Sequence, residues 1–188
     1  MKHFSRIAHA AAMKTSLVMG AAILLCGPAR AQAPPNAPAS ANAPITPAQG
    51  LVTQRTLSLT LAKTIAEATL AACQAKGYHT TAAVVDRAGQ VLVILRDEQA
   101  TSQTVEMARR KAYTARMFRS ATADFQKRTE DPSYAAQRDL TDILALGGGV
   151  PILVGNDAVG GAASAGATQE QDDACAKAGV AKVADQLK

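Results

Sequence analysis

The 188-residue chain has no tryptophan, and only three phenylalanines, three tyrosines, three cysteines and three histidines. A core without large rings must be filled by Ala, Val, Leu and Ile, which implies helices packed closely on a sheet. The shortage of histidine narrows the chemistry. His3 and His9 sit at the extreme N-terminus, so His79 is the lone imidazole of the remaining chain. That excludes a two-histidine acid–base pair and leaves no evident serine triad. Cys73 and Cys175 with one histidine cannot complete a four-ligand zinc site without carboxylates, so no metal centre is expected. Long apolar runs are missing too. Leu17 to Leu25 is well short of the roughly 20 residues that span a bilayer.

What is present at the N-terminus is an address. Lys2, Arg6 and Lys14 precede the Leu17–Leu25 run, no acid occurs, and Pro28 leads into Ala29-Arg30-Ala31. Positive, apolar, then small residues is the order of a secretory signal. Residues 1–31 are therefore expected to be a signal peptide, and the protein to be periplasmic or secreted. The full chain carries 20 Lys and Arg against 15 Asp and Glu. Residues 1–31 hold Lys2, Arg6, Lys14 and Arg30, so the remainder has 16 against 15, a net of +1. A nucleic-acid partner loses its electrostatic basis.

Residues 32–54 contain Pro34, Pro35, Pro38, Pro44 and Pro47 among Ala, Asn, Gln and Ser. Such a stretch has little to bury and is expected to be a linker. Residues 55–188 are a usual size for one domain. In that domain Thr60 is the expected cap of a helix to Lys76, stopped by Gly77. Thr80–Asp86 and Gln90–Arg96 read as a hairpin turning at Asp86-Arg87-Ala88-Gly89. Neither run alternates cleanly, which predicts two central strands covered on both faces. A second helix is expected over 102–119 and a polar loop over 127–139, broken by Pro132. Ile143–Leu146 and Pro151–Val154 are expected strands around Gly147-Gly148-Gly149, and Val159–Ser164 is a small-residue strand. Thr168 with Gln171 signals the start of the last helix.

No complete catalytic set stands out. His79 suits either iron ligation or a place at a strand edge. The glycine triplet lacks both phosphate-loop spacings and reads as a tight turn or a close backbone approach. Arg109, Arg110, Lys111, Arg116 and Arg119 spread positive charge over several faces of the second helix. They suit a solvated surface or carboxylate partners, including the propionates of a tetrapyrrole. Cys73 near the end of the first helix and Cys175 near the start of the last meet if those helices run antiparallel; otherwise they are two buried thiols.

Four stretches occur together: "AVVDRAGQVLVILRD" (83–97), "RRKAYTA" (109–115), "GGGVPI" (147–152) and "SAGATQEQDDACAKAG" (164–179). In order and spacing they resemble the GlcG/HbpS-like family of haem-binding proteins, over about residues 57–188. The resemblance implies an α+β, profilin-like α-β-β-α-β-β-β-α fold, with helices on an antiparallel five-stranded sheet. It implies a Cys73–Cys175 disulfide, a homo-oligomer and a haem or other tetrapyrrole ligand. It places a ligand cleft at Lys111, Thr114, Gly148, Gly149 and Pro151. Secreted relatives carry His before the Thr that matches Thr104; Gln103 stands here, which turns iron ligation towards His79 or a tyrosine. The expected role is non-catalytic binding. Two others compete with it: an enzyme degrading haem or acting on a small organic acid, and an accessory docking to a membrane partner through the linker.

Overall fold

The computed structural model describes Gly50 and residues 52–188. The expected signal peptide and nearly all of the expected linker lie outside the described residues. The elements in order are α1 (Leu59–Gln74), β1 (Thr81–Val85), β2 (Val91–Arg96), α2 (Gln103–Phe118), α3 (Thr122–Arg128) and α4 (Pro132–Ala135). A 3-10 turn (Ala136–Asp139), β3 (Gly149–Val154), β4 (Asp157–Ala165), α5 (Gln169–Ala181) and a second 3-10 turn (Ala184–Gln186) follow. The sheet is antiparallel, in the order β2-β1-β4-β3.

Alternation of side chains across the two central strands divides the core in two. Ala82, Val84 and Ala162 face α1 and α5, packing with Ile65, Ala66, Ile152, Ala176 and Val183. Ala83, Val85, Ala163 and Ala165 face α2, packing with Ala108 and Ala112. The described body is thus built in three layers, with α1 and α5 on one side of the sheet and α2 on the other. Each buried Val or Ile contributes roughly 1.5–3 kcal/mol of transfer free energy. The small residues let backbones approach. A Cβ on Gly161 would lie 2.3 Å from the Ala112 carbonyl oxygen, so α2 sits almost directly on β4.

The hairpin turn follows from its residues. The Asp86 carboxylate accepts from the Ala88 and Gln90 amides, both at 2.8 Å. Gly89 takes φ +80°, and a Cβ there would strike Tyr113 and Met117. β1 is buried along its whole length. β2 is not the central strand expected: it is an edge, with Val91 43% exposed, because no strand pairs with its outer side.

Other expectations are corrected. Among the described residues the sheet has four strands, not five. Ile143–Leu146 is no strand because side chains take its backbone groups. Arg110 donates to the Ile143 carbonyl, and the Leu144 amide donates to Thr114 Oγ1 at 2.9 Å. The 127–139 stretch is largely helical rather than loop. Asp131 caps α4 through the Ser133 amide at 2.8 Å, and Pro132 occupies its first turn, where its missing N–H costs nothing. Ser58, not Thr60, caps α1, accepting from the Leu61 amide at 3.2 Å. The Thr168 cap forms as expected, accepting from the Gln171 amide at 3.3 Å. The side chain of Gln171 turns instead to Lys76. Cys73 and Cys175 are joined in a disulfide with Cα atoms 5.5 Å apart, tying α1 to α5.

Candidate functional site

The hairpin register builds one polar cluster at the open end of β1 and β2. Thr81 lies opposite Arg96, and the Asp97 amide donates to the Thr80 carbonyl at 3.0 Å. This brings His79 beside Asp97, with the end of α1 above them. His79 Nδ1 lies 3.0 Å from Asp97 Oδ1, and Gln74 Nε2 donates to Asp97 Oδ2 at 2.9 Å. The Gln99 amide also donates to Oδ1, at 2.9 Å. Donation by Gln74 above all, then by Gln99, outweighs burial and holds the Asp97 carboxyl at about 2. An ionised carboxylate only accepts, so Nδ1 of His79 is the donor, which in the neutral ring leaves the lone pair on Nε2. Nε2 has no partner among the described residues, and the side chain is 43% exposed while Asp97 is 5% exposed. A buried carboxylate orienting a solvent-facing imidazole is the arrangement that prepares a histidine for a metal.

The glycine corner is different. Gly148 and Gly149 do lie against Lys111: a Cβ on Gly148 would be 2.8 Å from Lys111 Nζ, and one on Gly149 would be 2.4 Å from the Lys111 carbonyl oxygen. The space is filled from within. Lys111 Nζ donates to Asp172 Oδ2 at 2.9 Å and to the Ser164 carbonyl at 3.1 Å. Ser164 Oγ donates to Asp172 Oδ1 at 3.0 Å and lies 3.5 Å from Cys73 Sγ. The lysine and aspartate side chains are 1% and 2% exposed. Burial pushes the Lys111 ammonium below its ordinary value, against the pull of Asp172. This is a buried pair that locks α2 to the start of α5, and removing one partner strands the other. Thr114 is also enclosed, accepting from the Leu144 amide and donating to the Arg110 carbonyl at 2.8 Å.

Pro151 lies elsewhere, on the outer strand β3. There it joins Val150, Val180 and Ala181 in the floor of a cleft of about 560 Å³, with Arg119 and Lys177 at the rim. The structure therefore brings together Lys111, Gly148 and Gly149, and separates from them His79 and Pro151. Asp97, Gln74 and Asp172 were missed as partners. Asp97 was out of direct reach of the sequence: counting outward from the Asp86–Gly89 turn sets residue 80 opposite 95, and it is the bulge between Val84 and Val85 that shifts the register and brings 97 alongside. Arg109, one of the cations offered for a carboxylate, is taken by Glu106 at 2.7 Å and Asp142 at 2.6 Å. Among the described residues no group of three or more His, Cys, Asp or Glu could hold a metal ion.

The model of a protein family described as haem-degrading protein HbpS-like matches residues 57–181. The crystal structure of HbpS is similar, with 35% identity and a TM-score of 0.68, covering 70% of this chain and 93% of that one. A haem complex of PduOC has 23% identity and a TM-score of 0.62, covering 68% and 95%. An uncharacterised 15.0 kDa protein of Citrobacter freundii, from the dhaT–dhaS intergenic region, is 28% identical over 120 residues, 62% of this chain and 84% of the relative.

Proposed function

The chain belongs to the HbpS-like family, and on that premise we propose that it is an exported, non-catalytic protein that binds haem or a related tetrapyrrole. The observation that carries the reading is His79, a half-exposed imidazole whose Nδ1 is fixed by the buried Asp97 and whose Nε2 has no partner among the described residues. This donor fits haem iron, for which an axial imidazole oriented through its far nitrogen is a standard ligand. His79 would hold the iron; Asp97 would keep the ring in one tautomer and raise the basicity of Nε2; Gln74 and the Gln99 amide would keep Asp97 ionised. Lys111, Thr114, Gly148 and Gly149 then act as framework that fixes the end of β4 and the start of α5. Pro151 belongs to a separate apolar cleft. Export rests on residues 1–31, and the disulfide accords with it. Association with further copies or with a membrane partner is part of the same proposal; among the described residues no helix is long and apolar enough to cross a membrane.

The test is a hemin titration of the purified protein followed in the Soret band. The wild type is expected to saturate. His79→Ala should weaken binding at least ten-fold, and Asp97→Asn by roughly 10–100-fold, as losses of second-sphere partners do. A wild-type titration that fails to saturate, or one indifferent to His79→Ala, overturns the assignment. The competing reading, haem turnover, is favoured by the description of the matched family. Conversion of more than one equivalent of haem per chain to a linear product, with peroxide scavenged, would establish it.

A further inference from the structure

The arginines of the described body are nearly all spoken for. Arg87 makes two bonds of 2.8 Å to Asp157, Arg109 pairs with Glu106 and Asp142, and Arg110 donates to the Ile143 carbonyl. Arg96 donates to the Ala100 carbonyl, Arg138 to Thr129 Oγ1, and Arg128 to Gln137 while lying over the rings of Phe118, Phe125 and Tyr134. Arg119 is exposed to solvent. Arg116 stands apart. It is half-buried on α2 and has no hydrogen-bond or ion-pair partner among the described residues; its Nε–H, like that of Arg110, is buried without an acceptor. A buried donor left unsatisfied is rare in folded proteins and calls for an explanation.

Arg116 also lines a cavity of about 430 Å³ with Gln54, Thr56, Asp86, Arg87 and Ala88. The charges around that space favour an anion. Asp86 is committed to its own turn, accepting from two amides. Asp157 is committed to Arg87, with Arg55 at 3.9 Å. The guanidinium of Arg116 is thus left to face a polar, water-accessible space whose nearby acids, Asp86 and Asp157, are bonded elsewhere. Burial, then the neighbouring Arg87 and Arg119, disfavour its charged form more than Asp157 and Asp86 favour it, and an incoming anion would relieve this. The lining is nearly all polar, so the occupant is small and hydrophilic rather than a macrocycle.

We propose that this cavity is a binding site for a small oxyanion, a carboxylate or phosphate, held on the planar fork of Arg116. The fork matches both groups with two parallel N–H···O bonds, made here by the terminal Nη donors because Nε is enclosed. The site is independent of the haem proposal: His79 precedes β1 and Arg87 follows it, at opposite ends of the strand and roughly 25 Å apart at the usual strand rise.

The experiment is calorimetric titration of the purified protein, without hemin, using succinate and inorganic phosphate, with potassium chloride at matched ionic strength as reference. At least one oxyanion is expected to bind saturably at one per chain, while chloride is not. Arg116→Gln should abolish the saturable heat. Arg116→Lys, which keeps the charge but loses the fork, should weaken it about ten-fold and serves if the glutamine variant does not fold. Arg119→Gln and His79→Ala should leave it intact. No saturable binding by either oxyanion, or binding that survives Arg116→Gln, overturns the site. So does Arg116-dependent self-association in the absence of oxyanion binding, which would assign the missing acceptor to a second copy of the chain. Because His79→Ala is expected to weaken haem binding and spare this site, failure of one proposal is distinguishable from failure of the other.

Discussion

Asp97 shows how much of a residue's role depends on neighbours far away in sequence. Alone it is one of many surface-type carboxylates. In the fold it accepts from Gln74, Gln99 and His79, and its carboxyl is held at about 2 against an ordinary 3.8. The folded-state value is the lower one, so the carboxylate's stabilising effect is present above about pH 4. It is lost as pH falls from about 4 towards 2, where the folded protein must also take up the proton. Urea unfolding of wild type and Asp97→Asn should therefore differ most above pH 4 and converge near pH 2. A gap that stays constant across that range would show that the carboxylate is not ionised and bonded as described. Lys111 teaches the same lesson in reverse. The family resemblance implied a ligand contact for it, yet its partners Ser164 and Asp172 arrive from β4 and α5, fifty and more residues away. Nothing local marks such a pairing. Burial of a lysine shows only after three elements have packed.

Elements were legible where local chemistry and packing demand agreed. The Asp86–Gly89 turn, the β-branched run of β1 and the Thr168 cap each carry their own instruction, and each forms. Failure came where tertiary partners competed for the backbone. Ile143–Leu146 is apolar enough for a strand, but α2 offers it Arg110 and Thr114 before any strand does. Pro132 read as a breaker, whereas at the first position of a short helix it is an initiator. The β2 edge was unreadable because a continuous apolar run does not say which side lacks a partner. The side-chain clamp on 143–146 makes a direct prediction. Thr114→Val preserves shape and removes the acceptor of the Leu144 amide, leaving a partly buried donor unpaired. The expected cost is about 1–3 kcal/mol in chemical denaturation. In hydrogen exchange the Leu144 amide should lose protection while β1 amides keep theirs relative to the global stability. Uniform loss across the sheet would mean that Thr114 supports the whole core rather than this segment.

At the scale of the molecule the disulfide joins the two helices of one layer across 102 residues of sequence. Everything between Cys73 and Cys175 is enclosed by that link: both sheet edges, the whole of α2 and both proposed sites except Gln54 and Thr56. On the chain-entropy account, closing a loop of this size removes roughly 4–5 kcal/mol of freedom from the unfolded chain, and measured gains are commonly about 2–4 kcal/mol. The link also has a local consequence. Cys73 precedes Gln74, whose amide holds Asp97, and Cys73 Sγ touches Ser164 of the Lys111–Asp172 pair. Removing the link should therefore do more than lower stability uniformly, because it frees the end of α1 that orients the His79 cluster. The Cys73→Ser/Cys175→Ser double variant should unfold about 2–4 kcal/mol more easily in urea. Under conditions where it remains folded it should bind hemin several-fold more weakly, with oxyanion binding at Arg116 unchanged. Equal weakening at both places would trace the loss to the global equilibrium, and unchanged hemin affinity would detach the disulfide from the histidine cluster altogether.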